Sequence, residues 1–253
     1  MAAIQNLLLA SLPRKAYLQL LPGLSPVTLR FGDVLYKPDA VMRYIYFPSV
    51  CVVSLLTVVE NHYALEVGMV GREGMVGIPL ALGIELSPVR ALVQGGGPAL
   101  RMNCARFLSA LRRSPPLQRV LNSYIHARMG QICQTAACNR FHFVEARLAR
   151  WLLMTRDRMR SGEFQMTHDF LSSMLGVRRE GISEAASTFQ RLNLIKYSRG
   201  KIKILDHRGL EAASCPCYAA KPEYIAPWRP ASSTQRSAPV TVSRRRNARI
   251  ASA

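Results

Sequence analysis

The stretch LSSMLGVRREGISEAASTFQRLNLI, from Leu171 to Ile195, contains the clearest structural pattern in the C-terminal half of the chain. Its apolar residues recur at every third or fourth position, which is typical of amphipathic helices. The pattern stops at Gly176 and resumes after the charged run Arg178-Arg179-Glu180. Glycine there predicts a turn between two short helices, because glycine adopts a left-handed backbone without steric strain.

The residues around this turn predict a helix-turn-helix. Thr167 is expected to cap the first helix, because threonine accepts a hydrogen bond from the free amides of a first turn. The first helix is expected to bury Phe170, Leu171, Met174 and Leu175, and the second to bury Ile182, Ala185, Ala186, Phe189 and Leu192. Off the second stripe lie Arg179, Glu180, Ser183, Glu184 and Ser187, on a face free to enter a DNA major groove. A packed helical hairpin with solvated charges is the alternative.

The flanking segments extend this motif. Downstream, NLIKYSRGKIKILD alternates around Arg199-Gly200 and predicts a hairpin, or wing. Four of its residues are candidates to neutralise phosphates: Lys196, Arg199, Lys201 and Lys203. Upstream, VEARLARWLLMTRDRM predicts a helix with its arginines opposite an apolar face, and SGEFQ predicts a turn. That apolar face comprises Leu148, Trp151, Leu152 and Met159.

Residues 22–104 predict a different architecture of many short strands. TLRFGDVLY, YIYFPSVCVVSLLTVV, YALEVGMV and RALVQ are rich in β-branched and aromatic residues and are separated by glycine, proline and asparagine. Such a series favours a sandwich or a barrel-like roll.

A long helix is predicted between the two regions, from about Leu117. One narrow apolar seam runs along it, which is more typical of a pairing surface than of a core face. The seam comprises Leu121, Ile125, Met129, Ile132 and Ala136. The alternative is a helix that lies across the β-roll.

The composition indicates a polyanionic partner. The formal charge is +19, which favours nucleic acid or an anionic membrane surface. No run reaches the roughly 18 apolar residues of a membrane span. The first residues lack the basic start of a secretory signal, and six scattered cysteines do not form a disulfide framework, so we expect a cytoplasmic protein. Residues 221–253 are rich in proline, serine and arginine and are expected to form a disordered basic tail.

These elements together resemble the Crp/Fnr superfamily of bacterial transcription regulators. The helix-turn-helix stretch resembles the winged helix-turn-helix of that family, and GDVLYKPD, YIYFPS, VVSLLTVV and EVGMVGREGMVGIP resemble its cyclic-nucleotide-binding-type β-roll. The resemblance implies an α+β fold: a β-roll sensor domain (1–113), a dimerisation helix (114–141), a winged helix-turn-helix (142–220) and the tail (221–253). It also implies a homodimer that binds double-stranded DNA, with RNA polymerase and a small-molecule effector as further partners and no membrane.

The resemblance assigns base reading to the start of the second helix. Arg179 can donate two hydrogen bonds to guanine, and Glu180 can accept from cytosine. Arg178, Ser183 and Ser187 belong to the same expected surface. Members similar to the cyclic-AMP receptor carry arginine four positions after that glutamate, where this chain has Glu184. Because a carboxylate cannot donate to guanine, the half-site is expected to differ at that base pair.

The effector site is the weakest part of the resemblance. Cyclic-nucleotide-binding members carry Gly-Glu and then an arginine that meets the cyclic phosphate. Gly77, Arg90 and Ala91 fit such a cassette, but Ile78 then stands where the ribose-binding glutamate belongs. Glu73 lies seventeen residues before Arg90, which is longer than the usual spacing. The sequence therefore argues against cyclic AMP, and no cofactor is identified.

No metal site or catalytic centre is expected. Cys215-Pro216-Cys217 is too closely spaced for an ordinary zinc knuckle, and the sequence offers no second close pair of cysteines. The amino-terminal cysteine cluster of iron–sulfur members is absent, and the five histidines are dispersed. No nucleophile elbow, P-loop or paired-carboxylate motif is present, so an enzyme is not expected. The alternative function is a β-roll protein that acts through a protein partner or a membrane surface without specific DNA binding.

Overall fold

The computed structural model describes residues 6–59 and 63–219. The expected basic tail, 221–253, lies outside the described residues. In chain order, the first part contains α1 (Leu7–Ala10), α2 (Arg14–Leu20), a 3₁₀ turn (Leu21–Gly23), β1 (Leu24–Leu29), β2 (Val34–Tyr36), β3 (Tyr44–Pro48), β4 (Val52–Val59), β5 (Tyr63–Val70), a 3₁₀ helix (Ile78–Leu82), β6 (Arg90–Gly95), β7 (Gly97–Asn103) and α3 (Cys104–Arg113).

The second part is mainly helical. It contains α4 (Pro115–Phe141), α5 (Val144–Met159), β8 (Glu163–Gln165), α6 (His168–Leu175), α7 (Arg179–Arg191), β9 (Ile195–Ser198), β10 (Lys201–Ile204) and α8 (His207–Ala213). The expected α+β fold class is confirmed. Four helices and strands of the first part were not predicted, namely α1, α2, α3 and β7, and SGEFQ contains the short strand β8 where a simple turn was expected.

The first part is an antiparallel β-roll made of two sheets. One sheet has the strand order β1-β7-β3 and the other β2-β6-β4-β5. Side chains from both sheets and from α1 to α3 fill its interior, including Ile45, Phe47, Val53 and Phe107. The amide of Asn6 ties the N-terminal segment to this roll by donating to the carbonyls of Pro48 and Gly74, each at 2.8 Å.

The four-stranded sheet is buried on both faces around β4. Val53 faces the roll interior, whereas Val52 and Leu56 pack with the C-terminal helices. Successive side chains of a strand point to opposite faces, so the largely apolar run VVSLLTVV follows from burial on both sides. The C-terminal part therefore shares a hydrophobic core with the outer face of the roll.

The arginines of α5 depart from the expected pattern. They were predicted to lie opposite the apolar face, yet Arg147, Arg150 and Arg158 are all buried. Arg158 pairs with Glu73, whose carboxylate also accepts from the amide of Gly71 at 3.1 Å. The prediction was wrong because other parts of the chain cover this side of α5: Arg158 meets Glu73 of the β-roll, and Arg147 donates to the carbonyl of Leu175 at the end of α6.

Candidate nucleic-acid interface

The helix-turn-helix forms as the sequence predicts. The Thr167 hydroxyl accepts from the amide of Phe170 at 3.1 Å and caps α6. Gly176 ends that helix with φ +60°, the left-handed backbone that favours glycine. A Cβ at this position would lie 2.7 Å from Leu65 Cδ1, so the turn is also held against the β-roll.

The exposed face of α7 is the candidate reading surface. Its opposite side buries Ile182, Ala185, Ala186 and Phe189. Leu192, predicted to continue this stripe, is 61% exposed because the helix ends at Arg191 and Leu192 forms the cap. Exposed at the other end and along the outer side are Arg178, Arg179, Glu180, Glu184 and Ser187.

Beyond α7, the predicted hairpin pairs β9 with β10, and β8 adds a third strand to the other side of β10. Arg199 and Gly200 form the turn with φ values of +48° and +75°. The cationic side chains of this wing are all exposed: Lys196, Arg199, Lys201 and Lys203. The wing is attached to α7 through the amide of Tyr197, which donates to Gln190 Oε1 at 3.0 Å.

His168 joins the two helices to the wing, and sequence reasoning missed it. Its ring stacks on Tyr197 with centroids 4.3 Å apart, and its Nδ1 lies 2.9 Å from Ser183 Oγ. The Ser183 hydroxyl already donates to the carbonyl of Arg179, so the contact requires Nδ1 to be the donor. Burial, and then the nearby Arg179, lower the pKa of His168. The neutral imidazole therefore connects α6 to Ser183 of α7 and to Tyr197 of the wing.

Arg179 is held by an exposed ion pair. Its Nε lies 3.2 Å from Asp169 Oδ1, and the two side chains are 63% and 73% exposed. Exposed pairs of this kind contribute about 0–1 kcal/mol. A stronger partner such as a guanine edge can replace Asp169 at little cost.

The long helix α4 uses two neighbouring faces. One packs on the roll: Tyr124 Oη donates to the carbonyl of Met75 at 3.1 Å, and the Arg128 guanidinium donates to the carbonyl of Met69. Leu121 belongs to this face and is buried in the roll core, which corrects the start of the predicted seam. The rest of the seam lies on the adjacent face: Ile125 is half-buried, and Met129, Ile132 and Ala136 are exposed.

Most residues of the expected effector cassette are tightly packed, buried or already paired. A Cβ on Gly77 would lie 2.8 Å from Ile45 Cγ2 and 3.0 Å from the Tyr36 hydroxyl oxygen, so this backbone packs tightly on the roll. Ala91 is buried, whereas Arg90 at the start of β6 is half-buried. Glu73, the other candidate for the ribose, is paired with Arg158 at 2.8 Å. The cassette residues therefore provide a cation but no free carboxylate.

Two residues distant in sequence lie next to Cys215 and Cys217, a pair whose close spacing predicted no metal site. Cys138 and His142, near the end of α4, lie beside Cys215 and Cys217. Sequence spacing gave no signal for this cluster, because its two halves are separated by about seventy residues. Among the described residues, no helix is both long and apolar enough to cross a membrane.

Comparison with known proteins agrees with this geometry. Residues 146–213 match the family model of the Crp-like helix-turn-helix domain. No curated protein sequence matches the chain significantly.

Three solved structures illustrate the similarity of fold. A protein described as a Crp/Fnr-family regulator from Eubacterium rectale is 18% identical, with 81% of this chain and 96% of that one covered and a TM-score of 0.63. FixK2 from Bradyrhizobium japonicum is 13% identical, with coverages of 76% and 98% and a TM-score of 0.62. The c-di-GMP-responsive regulator CLP from Xanthomonas campestris is 14% identical, with coverages of 77% and 100% and a TM-score of 0.63.

Residues 146–213 therefore form a Crp-like helix-turn-helix domain, and the chain shares the fold of solved structures described as Crp/Fnr-family regulators.

Proposed function

We propose that the protein binds a two-fold symmetric DNA site as a homodimer and reads each half-site with the N-terminal half of α7. The observation that carries this proposal is the exposed start of α7 beside a cationic wing. Arg179 and Glu180 supply a donor pair and an acceptor for base edges, and Lys196, Arg199 and Lys201 supply charge for phosphates. The basic charge of the chain supports the same partner.

The decisive experiment selects bound sequences from random DNA with the purified full-length protein. Arg179→Ala and Arg191→Ala are then compared on the selected site by fluorescence anisotropy. Both variants remove one exposed arginine from α7, but Arg191 lies at the opposite end of the helix. We expect Arg179→Ala alone to lose about 1–3 kcal/mol and to relax preference at one base pair. Equal losses in both variants, or failure to enrich any sequence, would contradict the proposal.

Glu184 provides an independent test of the same surface. It is exposed on α7, four residues after Glu180, and its carboxylate repels phosphate and can accept only from a base donor. Glu184→Arg is expected to change the preferred base at one position per half-site, whereas Glu184→Gln is expected to raise affinity without favouring guanine. Unchanged preference in Glu184→Arg would remove this residue from base reading.

The dimer contact is proposed along the exposed seam of α4. Met129 and Ile132 are 61% and 42% exposed, and the large aromatic side chains of Phe141 and Phe143 extend the apolar surface at the end of the helix. Burying such side chains against a second copy is favourable by about 1.5–3 kcal/mol for each fully covered large residue. Two recognition helices related by a two-fold axis would then read half-sites about 34 Å apart.

Sedimentation tests this interface. Ile132→Asp is expected to give monomers that lose specific DNA binding, because an unpaired carboxylate would be buried at the contact. Ser123→Asp places the same charge on an exposed position of α4 away from the seam and is the matched control. A dimeric Ile132→Asp protein would place the interface elsewhere.

We also propose that the β-roll senses an effector other than cyclic AMP. Ile78 cannot accept from a ribose hydroxyl, and Glu73 already neutralises Arg158. Titration calorimetry with cyclic AMP is expected to show no binding at millimolar concentration or below. Tight binding that is lost in Arg90→Ala would establish the opposite.

A further inference from the structure

Four potential ligand atoms converge at the junction between α4, α5 and the segment after α8. Cys138 lies in the last turn of α4, and His142, four residues later, caps the end of this helix. Cys215 and Cys217 follow α8 and approach this end of the helix. The four atoms, three Sγ and a ring nitrogen, all lie within 4.8 Å of one another.

Such a cluster can form a disulfide bond or bind a metal ion, and the distances between its atoms favour the metal ion. Cys138 Sγ lies 3.5 Å from Cys215 Sγ, and Cys217 Sγ lies 3.6 Å from His142 Nδ1. A disulfide requires an S–S distance of about 2.05 Å. Tetrahedral zinc, with Zn–S near 2.3 Å and Zn–N near 2.0–2.1 Å, separates its sulfur ligands by about 3.8 Å and sulfur from nitrogen by about 3.6 Å. We propose that Cys138, His142, Cys215 and Cys217 bind one tetrahedral zinc ion.

The surroundings provide the outer groups that such a site needs. Gln134 Nε2 donates to Cys217 Sγ at 2.9 Å, a hydrogen bond that orients a thiolate ligand and stabilises its charge. The sulfur atoms form a small buried cluster with Ala146, whose carbonyl accepts from the amide of Cys215 at 3.4 Å. The ligands are therefore positioned by packing and backbone contacts as well as by one another.

Charge balance is the second, independent observation. Zinc with three thiolates and a neutral imidazole carries one negative charge. Arg147 and Arg150 are buried close to the cysteines, and the Nε atom of each has no hydrogen-bond partner. Within residues 6–59 and 63–219, neither guanidinium forms an ion pair with a carboxylate. Buried charges need compensation, and the anionic metal cluster supplies it.

Four protein ligands close the coordination sphere, which makes the site structural rather than catalytic. The ion would link the end of α4 to the segment that completes the DNA-binding part of the chain. Because metal affinity contributes directly to folding free energy, removal of zinc is expected to loosen the C-terminal segment.

The test uses the full-length protein purified under reducing conditions. Mass spectrometry of bound metals is expected to find about one zinc ion per chain. Cobalt exchanged into the site is expected to show the intense visible absorption of a tetrahedral ion together with thiolate charge-transfer bands. Cys215→Ser and His142→Ala should lose the zinc and its stabilisation against heat. Cys133→Ser should keep both, because Cys133 lies on the exposed side of the same helix.

Several outcomes would overturn the proposal. These are a wild-type protein that takes up no zinc in competition with a chromophoric chelator, cobalt without thiolate bands, a Cys138–Cys215 disulfide in freshly purified protein, or iron with inorganic sulfide in place of zinc. The wild-type measurements do not depend on the variants, so they decide the matter even where a cysteine variant fails to fold. A wild-type protein that binds zinc but shows no specific DNA binding would contradict the proposed function and leave the zinc site supported.

Discussion

Glu66 is expected to keep its proton as pH rises to about 7, and its hydrogen bonds give the reason. Its carboxyl group is buried between β5 and α5, where Trp151 Nε1 donates to Oε1 at 3.1 Å and Ser54 Oγ lies 2.7 Å from Oε2. The same Ser54 oxygen contacts the carbonyl oxygen of Gln94, which is also an acceptor. A serine hydroxyl has one proton and cannot donate to both. A protonated Glu66 that donates to Ser54 satisfies all the groups.

The electrostatic environment leads to the same protonation state. Burial raises the pKa of Glu66 from 4.5 to about 7, against the opposing effects of the Ser54 hydrogen bond and of Arg158. Because the folded pKa is raised, the native state binds the proton more tightly than the unfolded chain. Stability from this group is therefore fully present below about pH 4.5 and is lost as pH rises through about 7. At about 1.4 kcal/mol per pKa unit, the loss amounts to about 3 kcal/mol.

Glu66→Gln isolates this effect, because a glutamine amide can donate to Ser54 and its carbonyl can accept from Trp151 without ionising. Urea unfolding, followed by circular dichroism, is expected to give similar free energies for the variant and the wild type near pH 4. Near pH 8 the variant should be more stable by about 3 kcal/mol. The exposed substitution Glu163→Gln should show no such trend. A wild-type-to-variant difference that stays constant between the two pH values would refute a protonated Glu66.

Three further predictions concern charge. Glu73→Ala should lower the free energy of unfolding in urea by about 3–5 kcal/mol, because it leaves the buried Arg158 without its ion-pair partner. Adding Arg158→Met should recover most of this loss. A much smaller loss in Glu73→Ala alone would show that water reaches the pair. Asp169→Asn should tighten DNA binding by at most about fivefold in anisotropy titrations by freeing Arg179, and weaker binding would indicate that Asp169 positions that arginine. Deleting 221–253 should flatten the slope of log K against log salt by about 0.9 per phosphate contact and leave half-site preference unchanged; identical slopes would remove the tail from the mechanism.

The predictable parts of the molecule depend on neighbours close in sequence. The cap at Thr167 and the left-handed turn at Gly176 form hydrogen bonds only with residues within about one helical turn. The hairpin at Arg199-Gly200 likewise needs only its two adjoining strands. Hydrophobic periodicity and turn residues therefore sufficed for the helix-turn-helix, the wing and the long helix.

The features that were missed depend on partners far along the chain. Arg158 is buried because Glu73 lies opposite it, 85 positions away. Cys138 meets Cys215 across 77 positions. A single sequence indicates which groups can pair but not which distant segments meet. Arg158 was therefore expected to be exposed to solvent. The Cys-Pro-Cys segment, for the same reason, offered too few ligands for a metal.

These long-range contacts also constrain how a signal can reach DNA. Val52, Leu56 and Met69 of the β-roll are fully buried against the core of the DNA-binding part, and separating them from it would cost about 1.5–3 kcal/mol for each side chain. Buried polar contacts reinforce this docking: Gln94 Nε2 donates to Thr155 Oγ1 at 3.3 Å, and Glu73 holds Arg158. A hinge between the sheet and α5 would have to break all of these contacts at once. A change that rotates one protomer against its partner about the exposed seam of α4 would break none of them. We therefore expect an effector to reposition the two recognition helices through the proposed dimer contact, with each chain moving largely as one body.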